Sequence, residues 1–130
     1  MKCGVLILFL LGVGSAQAAG DYRCLVSAAF QVNTQGERNE EILAPMIGAE
    51  FTVDRSSGLM VGDLKNSYVT SPKVIDSGSE ENSFKVLTLM KNDITSNVYV
   101  LTIEEFQDGP IKPFVFLNNS YVYHGTCEHF

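Results

Sequence analysis

Cys24 and Cys127 stand 103 residues apart, one near each end of the chain that follows residue 18, and no other feature constrains the fold as strongly. The third cysteine, Cys3, falls within "MKCGVLILFLLGVGSAQAAG". There Lys2 precedes an apolar run from Val5 to Leu11, and Ala16-Gln17-Ala18 forms an A-x-A box. This order of basic, apolar and small residues is that of a secretory signal peptide, so residues 1–18 are expected to be removed. The apolar run is far short of the ~20 residues that a membrane helix requires, and no later segment approaches that length. The expectation is an exported chain, periplasmic or secreted, with no membrane span and a single domain over residues 19–130. In an oxidising compartment the two remaining thiols pair, and Cys24–Cys127 is the expected disulfide. In the chain-entropy model a loop of that length constrains the unfolded state by about 4–5 kcal/mol.

A metal centre built from His124, Cys127, Glu128 and His129 is the alternative use of the last thiol. On a strand, side chains three apart point to opposite faces, so His124 and Cys127 diverge while Cys127 and His129 share a face. No metal and no cofactor are expected.

Between the cysteines the chain reads as strands. "YRCLVSAAFQVN" places Tyr22, Cys24, Val26, Ala28, Phe30 and Val32 on one face at period two, the core face by the position of the cysteine. "AEFTVD" and "LMVGDL" flank the turn "DRSSG" as a hairpin, with a bulge expected at Gly62. "KVID", "SFKVLTLM", "NVYVLTIEEF", "IKPFVFLN" and "SYVYHGTCE" follow, separated by polar turns every 8–14 residues or so. Asn118-Asn119 suits the two-residue loop of a hairpin, which needs positive φ. Helical periodicity is nearly absent, and at most one short helix is expected, near residues 39–44 in "EEILAP". The fold class is all-β: seven to eight antiparallel strands in a small barrel or sandwich. The disulfide makes the first and last strands close neighbours and removes edges that would otherwise be exposed.

Two late strands are apolar on both faces. Tyr99, Leu101 and Ile103 oppose Val98 and Val100, while Phe114 and Phe116 oppose Val115 and Leu117. A strand with one wet face alternates cleanly, so the second side must be covered by "EEILAP", a loop or a partner chain. Tyr99, Leu101, Ile103, Phe114 and Phe116 are the candidate interaction surface on this reading.

Residues that carry chemistry are sparse. "VIDSGS" resembles the active-site signature of aspartic proteases around Asp76, but those enzymes need two such aspartates sharing a proton. Retroviral-type members also carry an apolar-apolar-Gly triplet downstream, which is missing here. Asp76 is therefore expected to cap its own backbone in a turn, with Gly78 left-handed. No catalytic residue is assigned: the only histidines are His124 and His129, and Glu104-Glu105 reads as solvated surface, or as one buried exception. Beyond residue 18 the chain holds eight basic and fifteen acidic residues, net −7. The acids are scattered, which disfavours nucleic acid and anionic lipid as partners.

The stretches "FTVDRSSGLMVGDL", "NSFKV" and "VYHGTCE" resemble small exported bacterial proteins of unknown function, a resemblance that brings no functional residue with it. A small barrel bridged near its chain ends is also similar to the periplasmic lysozyme inhibitors. Of their inhibitory loop, in which Ala-Arg-Tyr follows a Ser-Gly pair, only Ser57-Gly58 stands here. The expected function is non-enzymatic binding of a protein partner in the cell envelope or outside the cell. The alternatives are a small-ligand carrier with a barrel cavity, a lysozyme-inhibitor-like protein and, remotely, an aspartic-type hydrolase through Asp76. A homodimer is compatible with all of these.

Overall fold

The register of the chain's two ends settles its architecture. In the computed structural model, which describes residues 20–130, Cys24 lies directly opposite Cys127 in an antiparallel pair, and the two are disulfide-bonded with Cα atoms 4.0 Å apart. The expected signal peptide, residues 1–18 with Cys3, lies outside the described residues. First and last strands are therefore neighbours in one sheet, as the cysteine spacing implied.

The described residues form nine strands: β1 Tyr22–Val32, β2 Arg38–Asn39, β3 Glu50–Val53, β4 Met60–Gly62, β5 Lys73–Ser77, β6 Phe84–Lys91, β7 Ser96–Ile103, β8 Lys112–Asn118 and β9 Tyr121–His129. This exceeds the expected count because β2 is a two-residue pairing with the end of β1. All pairs are antiparallel, in the order β4-β3-β1-β9-β8-β7-β6-β5. β5 through β9 form a meander, and β9 returns to β1. The sheet curls into a half-barrel whose free edges are β4 and β5. Polar side chains lace this seam: from the β3–β4 turn, Arg55 Nε donates to the Ser77 carbonyl at 3.0 Å and an Arg55 Nη donates to the Gly78 carbonyl at 3.2 Å.

The concave side is packed solid. Tyr22, Phe51, Met60, Phe84, Leu101, Ile103, Phe114 and Phe116 are all buried there. Tyr22 meets Phe84 at 5.2 Å between ring centroids, and Phe114 meets Phe51 edge-on at 5.2 Å. The expected helix is a 3-10 segment, Glu41–Met46, which runs through Pro45 rather than stopping before it. So short a segment loses little when one residue lacks an N–H. Leu43 is buried in the core, with Met46 and Ala49 packed against it, so this segment serves the concave side.

Three local expectations need correction. First, the unbroken period-two face in β1 does not exist. The β1–β9 register shifts between Val26, opposite Gly125, and Ala28, opposite His124, leaving Ser27 as a bulge. Beyond it the faces exchange: Ala29 is buried, while Ala28, Phe30 and Val32 turn outward. Second, Gly62 marks no bulge, since β3 and β4 pair in regular register there. It sits at φ +133° where a Cβ would stand 2.7 Å from the Glu50 carbonyl oxygen, so close approach of two backbones is the reason for glycine. Third, Asn118 pairs with Tyr121, so the β8–β9 loop is Asn119-Ser120, with Asn119 at φ +51°. The side chain of Asn119 explains the shift: its Oδ1 accepts from Val98 N at 3.0 Å and its Nδ2 donates to Asn97 Oδ1 at 2.8 Å.

Candidate functional site

The five residues read as an interaction surface, Tyr99, Leu101, Ile103, Phe114 and Phe116, are core instead, each no more than 5% exposed. The two late strands are apolar on both faces, as the sequence indicates, but these five belong to the inner one. The opposite face points away from the half-barrel, and the helical segment does not cover it.

On that convex face the register aligns apolar side chains from consecutive strands. Leu87 of β6 pairs with Val100 of β7, Val100 with Leu117 of β8, Leu117 with Val122 of β9, and Val122 with Phe30 of β1. Each is half-buried, shielded by its neighbours and open outward. Leu89 and Val98, directly opposite one another, extend the row on one side and are 58% and 40% exposed. The neighbouring line holds Lys85, Thr102, Val115, His124 and Ala28 in register. With strands about 4.8 Å apart, five residues in line make an apolar stripe about 19 Å long. Contiguous outward apolar surface of this kind marks an interaction site more often than scattered exposed residues do.

The β1 bulge completes the stripe. Without the shift at Ser27, Phe30 would face the core and the row would stop at Val122. The bulge is accommodated by Gly125 opposite it, where a Cβ would stand 2.0 Å from the Leu25 carbonyl oxygen. Phe30 went unrecognised because the small residues Ser27, Ala28 and Ala29 fit either parity.

A second constellation gathers the titratable side chains of one barrel end. Tyr22 Oη donates to Glu105 Oε2 at 2.7 Å, and His129 Nε2 lies 2.9 Å from both Glu105 oxygens. His129 Nδ1 lies 2.7 Å from the Gly20 carbonyl oxygen. A carbonyl can only accept, so Nδ1 carries a proton. Nε2 faces the Glu105 carboxylate, and the contact is an ion pair whenever the imidazole is protonated. Burial raises the Glu105 carboxyl, but the hydrogen bonds from Tyr22 and His129 and the charges of His129 and Arg55 outweigh it, and the group lies below the ordinary carboxylate range. Burial, then the hydrogen bond and charge of Glu105, push the Tyr22 phenol up, against the opposing charge of Arg55. Glu104 and Glu105 are both half-buried: Glu104 accepts from Ser83 Oγ at 2.8 Å, while Glu105 makes the contacts above. The Tyr22–His129 pairing was legible: two residues outward from Cys24 and Cys127 along paired strands puts these rings together, 4.5 Å apart. Glu105 was not, because it arrives from the segment after β7.

This cluster is a latch between elements distant in sequence. Both ring nitrogens of His129 and the Tyr22 hydroxyl are engaged by fixed partners, and the contacts join β1, β9 and the post-β7 segment. Asp76 is occupied in its own turn, accepting from Gly78 N at 2.8 Å with Gly78 at φ +75°. Cys127 is bridged, and His124 is exposed on the opposite face from it. Among the described residues, no three His, Cys, Asp or Glu side chains gather to hold a metal ion, and no helix is long and apolar enough to cross a membrane. No protein-family model, curated protein or solved structure matches this chain.

Proposed function

We propose that the chain is an exported, non-enzymatic β-domain that binds a protein partner through its convex face. The observation that carries this reading is the in-register, half-buried apolar row Phe30–Val122–Leu117–Val100–Leu87 on the outer face of the sheet, with the exposed Leu89 and Val98 beside it. An apolar core ringed by polar groups is the usual anatomy of a protein–protein contact. Export is supported by the signal-like leader and is compatible with a disulfide that ties β1 to β9. The carrier reading is weaker, because the concave side that would hold a ligand is filled by Phe51, Phe84, Phe114, Phe116 and Met60. The hydrolase reading is weaker still, because Asp76 is committed to its turn.

The test is photo-crosslinking in the exporting cell. A benzophenone amino acid placed at Val100 is expected to give a discrete adduct with another protein. The same group at Asp54, exposed in the β3–β4 turn, is expected to give none. Identical adduct patterns from both positions, or none from Val100 in correctly oxidised protein, would sink the reading.

A further inference from the structure

The charges around the convex row identify the chemistry of what it binds. Resting on the protein-binding reading above, we infer that the partner presents an apolar strip edged with carboxylates. The row is flanked by a cation at each end: Lys73 of β5 is the register partner of Leu87, and the Arg38 guanidinium lies 3.8 Å over the Phe30 ring. Along β6 the outward positions alternate Lys85, Leu87, Leu89, Lys91, so apolar and cationic groups share one line. Four of the eight basic residues among the described ones, Arg38, Lys73, Lys85 and Lys91, thus border this face of a strongly acidic chain. Among the described residues, Lys73, Lys85 and Lys91 form no ion pair.

Few acids answer the three lysines locally, whereas Glu37, Glu40 and Glu41 line the surface around Arg38. Glu40 pairs with Arg38 at 2.8 Å. Asp76 stands opposite Lys85 but accepts from Gly78 N, and Asp93 lies in the β6–β7 turn. Apart from these five, the other ten lie elsewhere, including Glu128, which faces Arg23 at the far end of the sheet. A partner edged with Asp and Glu therefore meets complementary charge around a desolvated apolar centre, the arrangement that steers association and fixes register. A second copy docking face to face with like ends of the row aligned would set rim lysines against rim lysines. An anionic bilayer would be attracted by this rim but repelled by the acidic remainder of the surface.

The experiment uses the processed, oxidised full chain and three probes. The first is a random twelve-residue peptide display library. Enriched sequences are expected to interleave apolar residues with Asp and Glu. A synthetic peptide from that set should bind at least tenfold more weakly to Leu117→Glu, and at least threefold more weakly to the double variant Lys73→Glu, Lys85→Glu. Its affinity for the unaltered chain should fall as salt rises. Far-ultraviolet circular dichroism and an intact disulfide check that each variant is folded. The second probe is sedimentation of the chain alone, and the third is vesicles of phosphatidylglycerol and phosphatidylcholine; neither is expected to show association. Neutral or basic peptides that still require Leu117 would overturn the charge rule while leaving the protein-binding face standing. No enrichment, peptides indifferent to both sets of substitutions, a dimer dissolved by Leu117→Glu, or vesicle binding lost in Leu117→Glu would each overturn the docking itself.

Discussion

A methyl group at position 125 would stand 2.0 Å from the Leu25 carbonyl oxygen and 2.8 Å from the Ser27 nitrogen. Both contacts are with backbone, so no side chain can move aside to make room. Gly125→Ala is therefore expected to destabilise the protein by about 2–4 kcal/mol, the range of severe overpacking. Urea unfolding followed by fluorescence should show the midpoint falling accordingly; a shift within the ordinary scatter of surface substitutions would mean that the bulge does not depend on this contact. At this scale the sequence was ambiguous for a physical reason. Ser27, Ala28 and Ala29 are small enough to sit on either face, so alternation alone could not reveal where parity changes. Phe30 and Val32, the bulky apolar residues past the bulge, therefore read as core from alternation alone.

Among elements, the latch joins the start of β1, the end of β9 and the segment after β7 through one carboxylate. Glu105 lies below its ordinary range in the folded protein, so between that lowered value and about 4.3 the unfolded chain binds more protons. Its contribution to stability is complete above the ordinary value and disappears as pH falls through the lowered one. Glu105→Gln cannot titrate and should show a flatter acid limb: between about pH 6 and pH 3 the urea midpoint of the parent should drop more than that of the variant. Parallel lines for the two proteins would remove Glu105 from the acid response. Strand identity at this scale was largely legible. The late strands announce themselves by apolar residues on both faces, yet neither face is labelled as inner. That choice waits on the direction of curl, which buries Tyr99 and Phe116 and leaves Val98 exposed.

Over the whole molecule, the bridge fastens the β1–β4 portion to the β5–β9 meander at their shared β1–β9 pair. Its loop closes almost the entire described chain, so the double variant Cys24→Ala, Cys127→Ala should lose about 4–5 kcal/mol in the chain-entropy model. Equilibrium urea denaturation against the oxidised parent measures this, and a loss below about 1 kcal/mol would mean that pairing of the strands alone holds the ends together. The all-β class, the adjacency of first and last strands, most turn positions and the self-capped Asp76 are legible without coordinates. These follow from local periodicity, from turn chemistry and from one covalent constraint that needs no coordinates to state. Which face of each late strand is core, that Phe30 joins the convex row, and that Glu105 meets Tyr22 and His129 emerge only in the folded chain. Each of those depends on register and curvature, which arise when strands distant in sequence pack together and cannot be read from any one of them.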